Sequence, residues 1–196
     1  MIVLGLTGSI GMGKSTTANL FRRFGIPVFD ADQSVHRIYA GEPPEGLAER
    51  FPDAIVDGRI DRKRLAALVL HDSGAVATLE KIVHPMVAHA RDQFILDNRR
   101  EGAKVAVIDA PLLFETETWR LADAVVVVSA PEKIQRERVL SRDSTTEIKL
   151  NQILSRQMPD AEKKRRAQFI VHTQFGIEQA RRQIRTIVAT LAQIDK

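Results

Sequence analysis

Eight residues near the amino end constrain this chain more than any other feature. Gly8-Ser9-Ile10-Gly11-Met12-Gly13-Lys14-Ser15 follows the pattern Gly, any four residues, Gly-Lys-Ser/Thr. The pattern carries a structural condition: it must leave a strand and open a helix. Ile2–Thr7 precedes it as a short apolar run with the character of a buried strand. Residues 15–24 follow it with Ala18, Phe21 and Phe24 at helical spacing, and Gly25 is a suitable stop. Residues 26–29 read as a second strand ending at Asp30. The chain therefore opens as one strand–loop–helix–strand unit.

Glycines let the backbone turn its N–H groups inward around an anion. A helix beginning near Gly13 adds its positive end. In that setting Lys14 bridges the β- and γ-phosphates of a nucleoside triphosphate, and Ser15 offers its hydroxyl to Mg2+. The bland alternative is a glycine-rich turn without a ligand; the strand before it and the helix after it argue against that.

The rest of the chain fits an α/β protein. Its 196 residues are 44% hydrophobic and 28% charged, a globular balance. There is no cysteine, which excludes disulfides, thiolate metal sites and cysteine nucleophiles. The longest strongly apolar run, 124–128, is far too short to cross a bilayer. Without a basic leader before the motif, a cleaved signal is not expected, and the expected location is cytoplasmic. Residues 104–109 and 123–129 read as further strands, the second, with four consecutive valines, as central to the sheet. Residues 131–140 read as a helix, 159–166 as a helix start, 169–171 as a fifth strand and Ile177–Ile194 as a closing amphipathic helix. Strands alternating with helices predict an open, mainly parallel sheet. Residues 31–100 break the rhythm. They read as a mainly helical insertion rather than an independent domain, interrupted at 41–44 and 51–58. Amphipathic segments fall at 62–70 and 75–98, and His84-Pro85 breaks the second.

Three features refine the chemistry. Asp30-Ala31-Asp32 stands where the second strand ends, the sheet edge where open α/β proteins bind ligands. A carboxylate there can orient or deprotonate an attacking hydroxyl, or cap the next helix. Asp109 ends another apolar strand, the usual place of a second Mg2+ contact in phosphate-loop enzymes. The following Leu112, Leu113 and Phe114 either line an acceptor cleft or belong to the core. Finally, residues 141–158 are polar and carry Arg142 and Arg156, candidates to neutralise charge on a moving phosphoryl group. His84 either contacts an acceptor or is packed. His36, His71, His89 and His172 form no constellation, and no two-histidine metal spacing occurs.

Other classes fit poorly. A guanine-specific Asn-Lys-x-Asp is absent. Aromatic residues are only 5%, too few for the interleaved basic–aromatic surface of a nucleic-acid binder. Lys163-Lys164-Arg165-Arg166 reads as a solvated or phosphate-facing helix stretch rather than an RNA site. The net charge of +4 suits anionic small molecules.

Taken together, Leu6 to Thr16, Asp30-Ala31-Asp32, Val83-His84-Pro85, Asp109-Ala110-Pro111-Leu112-Leu113-Phe114-Glu115 and Gln157-Met158-Pro159 leading to Glu162-Lys163 resemble the dephospho-CoA kinase family across nearly the whole chain. The resemblance implies a P-loop kinase-like five-stranded parallel sheet flanked by helices. Residues 1–30, 101–140 and 167–196 would form the nucleotide-binding core, 31–100 a helical acceptor (CoA) insertion and 141–166 a lid. It implies ATP and dephospho-CoA as substrates and Mg2+ as cofactor, with no nucleic-acid or membrane partner, in a monomer or weak homo-oligomer. It assigns Lys14, Asp32 and Arg142 to catalysis. ATP contacts fall to Gly8, Gly11, Met12, Gly13, Lys14, Ser15, Thr16 and Arg142. Acceptor contacts fall to Asp32, His84, Leu112 and Leu113, and the metal to Ser15 and Asp109, directly or through water. The chain departs from the family pattern at Ser9 and Met12, at Ile153 where an arginine is common, and at Gln168 and Thr173, where an aspartate and an asparagine are common.

Overall fold

The computed structural model describes residues 1–69, 72–142 and 145–194. Leu70, the end of the first amphipathic segment, and His71 lie outside the described residues, as do two positions of the 141–166 segment. The chain runs β1 (Ile2–Thr7), α1 (Lys14–Arg23), β2 (Val28–Asp30), α2 (Ala31–Ala40), α3 (Leu47–Arg50), β3 (Ile55–Val56), β4 (Arg59–Ile60), α4 (Arg62–Val69) and α5 (Ser73–Arg100). It continues with β5 (Val105–Asp109), β6 (Ala124–Ser129), α6 (Glu132–Leu140), α7 (Glu147–Leu154), α8 (Asp160–Arg166), β7 (Phe169–His172) and α9 (Ile177–Ile194). It divides into two compact units, Met1–Phe29 with Asp97–Lys196, and Asp30–Leu96.

The first unit is built on a five-stranded parallel sheet in the order β2-β5-β1-β6-β7. Leu4 of β1 pairs with Val107 on one side and Ala124 on the other; Leu6 pairs with Asp109 and Val126. β5 is buried throughout and β1 and β6 nearly so. Strands covered on both faces need near-continuous apolar sequence rather than alternation, and Val125–Val128 supplies it. The middle place belongs to β1, and β6 lies between β1 and β7, which corrects the expectation that the valine strand is central. α1 buries Ala18, Leu20 and Phe21, and α9 buries Ala180, Ile184, Ile187 and Leu191 at helical spacing, in one core with Leu4, Leu6 and Val126. Each such side chain contributes about 1.5–3 kcal/mol when fully buried. At the edge, Gln183 of α9 pairs with the backbone N–H and C=O of His172, both at 2.9 Å, and so occupies the open side of β7.

The second unit has its own core of Leu47, Phe51, Ala54, Ile60 and Leu65. Two features differ from the sequence reading. The break expected at 51–58 contains an antiparallel hairpin, with Ile55 opposite Ile60 and Val56 opposite Arg59. Its turn, Asp57-Gly58, takes φ values of 50° and 73°, the backbone a tight two-residue hairpin turn demands. α5 also runs unbroken through Pro85. The ring removes one helical hydrogen bond, but Pro85 and Lys81, whose carbonyl loses its donor, are both exposed to water.

Candidate active site

The segment between β1 and α1 holds its shape through backbone geometry and a frame of side chains. Gly11 and Gly13 have φ of 78° and 94°, values that side-chain-bearing residues avoid. Space at Gly11 is closed as well: an added Cβ would meet Val139 Cγ2 at 2.5 Å and Gln135 O at 2.9 Å. The frame closes on loop carbonyls and one N–H. The Ile10 N–H donates to Gln157 Oε1 at 3.1 Å, and Gln135 Nε2 donates to the Ile10 carbonyl at 2.7 Å. Thr173 Oγ1 donates to the Met12 carbonyl at 2.8 Å. Arg138 grips Thr173 in turn, donating to its hydroxyl and its carbonyl, each at 2.8 Å.

Lys14, the first residue of α1, reaches Asp109 at the end of β5, with Nζ to Oδ1 at 2.6 Å. Asp109 is only 1% exposed. The structure thus brings together the expected phosphate lysine and the expected metal aspartate. Ser15 and Thr16 are exposed on the first turn of α1. A cavity of about 320 Å3 opens beside them, lined by Gly11, Gly13, Thr16, Arg138, Arg142 and Thr173. The exposed Arg142 therefore stands on the same cavity as the loop and the helix start.

The other expected site residues take individual places. Asp30 caps α2 by accepting the Gln33 N–H at 2.9 Å. Asp32 is exposed in the first turn of α2, and His84 is exposed on α5. Leu112 is exposed, whereas Leu113 is fully buried and lies against Gly5 of β1. This corrects the placing of Leu113 among acceptor contacts: the position is core because β1 leaves it a glycine-sized gap. Met12 is corrected in part. Its side chain is buried and its sulfur accepts the Ala130 N–H at 3.1 Å, while its own N–H donates to the Ser9 carbonyl at 3.1 Å. Arg156 is exposed and Ile153 half-buried.

The departures at 168 and 173 each find a structural use. Gln168 Oε1 accepts the Val125 N–H at 2.8 Å, and Thr173 pins the phosphate loop. The basic run at 163–166 also splits. Lys163 is fully buried, pairing with Glu115 Oε1 at 3.0 Å and donating to the Pro111 carbonyl at 3.1 Å. Glu115 Oε1 also accepts the Met158 N–H at 2.6 Å, which locks the segment after β5 to the approach to α8. Gln135, Arg138, Gln157 and Thr173 had no assigned role in the sequence reading. They belong to distant elements whose convergence no local spacing encodes.

A phosphate loop leading from the first strand of a five-stranded parallel sheet into the first helix, with its lysine on a buried aspartate at the end of the neighbouring strand, defines a phosphate-loop nucleoside-triphosphate-binding protein. Comparison with known proteins narrows the class. The family described as dephospho-CoA kinase matches residues 2–179. A dephospho-CoA kinase of Rhodopseudomonas palustris (strain HaA2) is 53% identical over 196 residues, covering 100% of this chain and 98% of that protein. A crystal structure from Thermus thermophilus superposes with a TM-score of 0.83 at 34% identity, covering 97% of both chains. The dephospho-CoA kinase of Campylobacter jejuni shares the fold, with a TM-score of 0.63 at 24% identity and 96% of both chains covered. The chain belongs to the dephospho-CoA kinase family. Among the described residues no helix is long and apolar enough to cross a membrane.

Proposed function

We propose that this kinase transfers the γ-phosphoryl group of ATP to the ribose 3′-hydroxyl of dephospho-CoA, giving coenzyme A and ADP. The observation that carries the reading is the Lys14–Asp109 pair at the mouth of a preformed phosphate loop, in a chain of this family. The loop N–H groups and the positive end of α1 receive the β- and γ-phosphates. Lys14 exchanges the Asp109 carboxylate for phosphate oxygens, so the loop lysine is compensated before and after nucleotide binding. Asp32 orients the acceptor hydroxyl and takes its proton as the O–P bond forms and the bond to the ADP oxygen breaks. Arg142 neutralises charge on the transferring group. His84 and the exposed Leu112 contact the acceptor. In this reading residues 31–100 form the acceptor insertion and 141–166 the lid, whose closure keeps water from replacing the ribose hydroxyl.

The donor set suits Mg2+. Ser15 and Asp109 offer hard oxygens at the loop, and among the described residues no cluster of three or more His, Asp or Glu side chains could hold a metal. Mg2+ needs none, because it keeps its waters and takes one or two protein oxygens beside the nucleotide's. When bound, it would supply charge neutralisation at the β- and γ-oxygens. The absence of cysteine is compatible with a reducing cytoplasm, and the reading needs no partner beyond the two substrates.

The test is ADP release from Mg-ATP with dephospho-CoA, adenosine, AMP or no acceptor in parallel. Release that depends on dephospho-CoA, with coenzyme A appearing in step, is expected. Release no greater than the blank would reject the acceptor.

A further inference from the structure

Lys163 is a fully buried cation that the proposed reaction leaves without a role. Stability alone does not account for it. A buried ion pair replaced by well-packed apolar residues of similar volume is often no less stable, because desolvating both charges offsets their attraction. Nor is Lys163 needed to fasten α8. That helix has its own tie to the sheet at its first residue, where Asp160 Oδ2 accepts the Ser129 hydroxyl at 2.8 Å. Polar groups do one thing here that apolar ones cannot: they hold the backbone. Lys163 Nζ donates to the Pro111 carbonyl at 3.1 Å while pairing with Glu115 Oε1 at 3.0 Å. The same Glu115 oxygen accepts the Met158 N–H at 2.6 Å. Among the described residues Glu115 Oε2 is buried with no hydrogen-bond partner, so the carboxylate is committed through one oxygen, shared by the lysine and the backbone.

Each of the two backbone groups leads to the phosphate machinery. Pro111 stands two residues after Asp109. The chain is tied to β1 at both intervening points. The Ala110 N–H donates to the Leu6 carbonyl at 3.0 Å, and the Pro111 carbonyl accepts the buried Thr7 hydroxyl at 3.2 Å as well as Lys163. β1 is the strand that runs into the phosphate loop. The turn that presents Asp109 to Lys14 is thus held by one charged donor and one hydroxyl. On the other arm, Met158 follows Gln157, whose Oε1 accepts the Ile10 N–H inside the phosphate loop at 3.1 Å. Fixing the backbone at Met158 fixes the point from which Gln157 reaches the loop.

We infer that the Lys163–Glu115 pair is a positioning element for phosphoryl transfer. It holds the Asp109 turn through Pro111 and the phosphate loop through Met158 and Gln157, so both stand in one arrangement before the nucleotide arrives. Lys163, being buried, acts through these backbone groups and not on the reacting atoms. The inference rests on the reading of Lys14 and Asp109 as the pair that handles the phosphates. Groups placed in advance favour transfer because no reorganisation remains at the moment of reaction. The two arms separate in their effects: the Pro111 arm governs kcat, and the Met158 arm governs ATP affinity.

Steady-state kinetics with Mg-ATP and dephospho-CoA, together with equilibrium titration of ATP, test it. Five proteins are compared, each at a temperature where its own unfolding curve shows it folded: wild type, Thr7→Val, Lys163→Met, Lys163→Met with Glu115→Gln, and Leu191→Ala. Lys163→Met should lower kcat about tenfold and weaken ATP binding about threefold. Adding Glu115→Gln keeps an acceptor for the Met158 N–H without a stranded charge, so ATP affinity should return to the wild-type value while kcat stays low. Thr7→Val removes only the hydroxyl on Pro111 and should lower kcat about threefold with ATP affinity unchanged. Leu191→Ala, a truncation in the core of α9, should lower Tm and leave both constants alone. A purely structural pair predicts the opposite pattern: kcat would follow Tm, falling in Leu191→Ala and recovering when Glu115→Gln is added. That pattern, or wild-type kcat in folded Lys163→Met, would overturn the proposal. Failure of the acceptor reading would show instead in the wild type, as turnover indifferent to dephospho-CoA, and the ATP titrations would still decide the loop arm.

Discussion

Breaking the Lys163–Glu115 pair should destabilise this protein more than its place in a basic helix run implies. Lys163 is 0% exposed and Glu115 19%. Lys163→Met keeps most of the apolar stem but leaves the Glu115 carboxylate with only the Met158 N–H. Removing one partner of a buried pair costs about 3–5 kcal/mol. Partial exposure of Glu115 places the expectation at the low end, about 3 kcal/mol. For a domain of this size that lowers Tm by roughly 6–12 °C. The assay is equilibrium urea unfolding followed by fluorescence of Trp119, the chain's single tryptophan. Its ring centroid lies 6.4 Å from that of Phe114, next to Glu115. The double variant Lys163→Met with Glu115→Gln is the deciding control. It removes both charges yet keeps an acceptor for Met158, so it should be more stable than the sum of the single losses by about 1–3 kcal/mol. A single-variant loss below about 1 kcal/mol, or strict additivity, would refute the view that this pair is a desolvated, mutually dependent unit.

Asp32→Asn should leave the KM for ATP near wild type while cutting kcat severely, as steady-state kinetics would show; near-normal turnover removes Asp32 from the chemistry. Lys14→Ala should damage nucleotide affinity and turnover together and also lower stability, because Asp109 is left buried without its 2.6 Å partner; calorimetry and ATP titration read both. Gly11→Ala combines left-handed strain of about 1–2 kcal/mol with overpacking of about 1–3 kcal/mol against Val139 and Gln135. Urea midpoints should fall accordingly, and ATP affinity with them. Gln157→Ala removes the acceptor of the Ile10 N–H; KM for ATP should rise severalfold while KM for dephospho-CoA stays put.

What the sequence made legible was local. The phosphate loop could be read because its constraint, glycines at set spacing between a strand and a helix, is contained in neighbouring residues. Lys14 and Asp109 could each be chosen, but not their contact, which closes over 95 positions. The hairpin at 55–60 escaped because strands of two residues carry no alternation, although Asp57-Gly58 was a usable turn signal. Leu112 and Leu113 are indistinguishable by type. Gly5 on the neighbouring strand decides which of them goes inside. Lys163 was hidden for a similar reason. In a run of four basic residues the turn of a helix sends one inward, and only a carboxylate brought from Glu115 reveals which.

The frame around the phosphate loop bears on the arginine missing at position 153. α6 ends at Leu140, and α7, with Leu150 buried, precedes Gln157. Both ends of the segment between α6 and Gln157 are tied to the loop. Gln135 holds Ile10, and Arg138 acts through Thr173 on the departing side; Gln157 holds Ile10 on the returning side. The segment's two stems and the loop are therefore joined by hydrogen bonds at both ends. Arg142 stands one helical turn beyond Arg138, and its own N–H still donates to Val139 at 3.2 Å, so its position follows the departing anchor. Arg156 immediately precedes Gln157, next to the returning anchor. An arginine at 153 would be a turn away from that anchor; the half-buried Ile153 packs there instead. A guanidinium beside an anchor loses less freedom when it meets a phosphoryl group than one on an untethered turn. If Arg156 supplies a second positive charge, Arg156→Ala should lower kcat with little change in stability, and an unchanged kcat would remove it from the site.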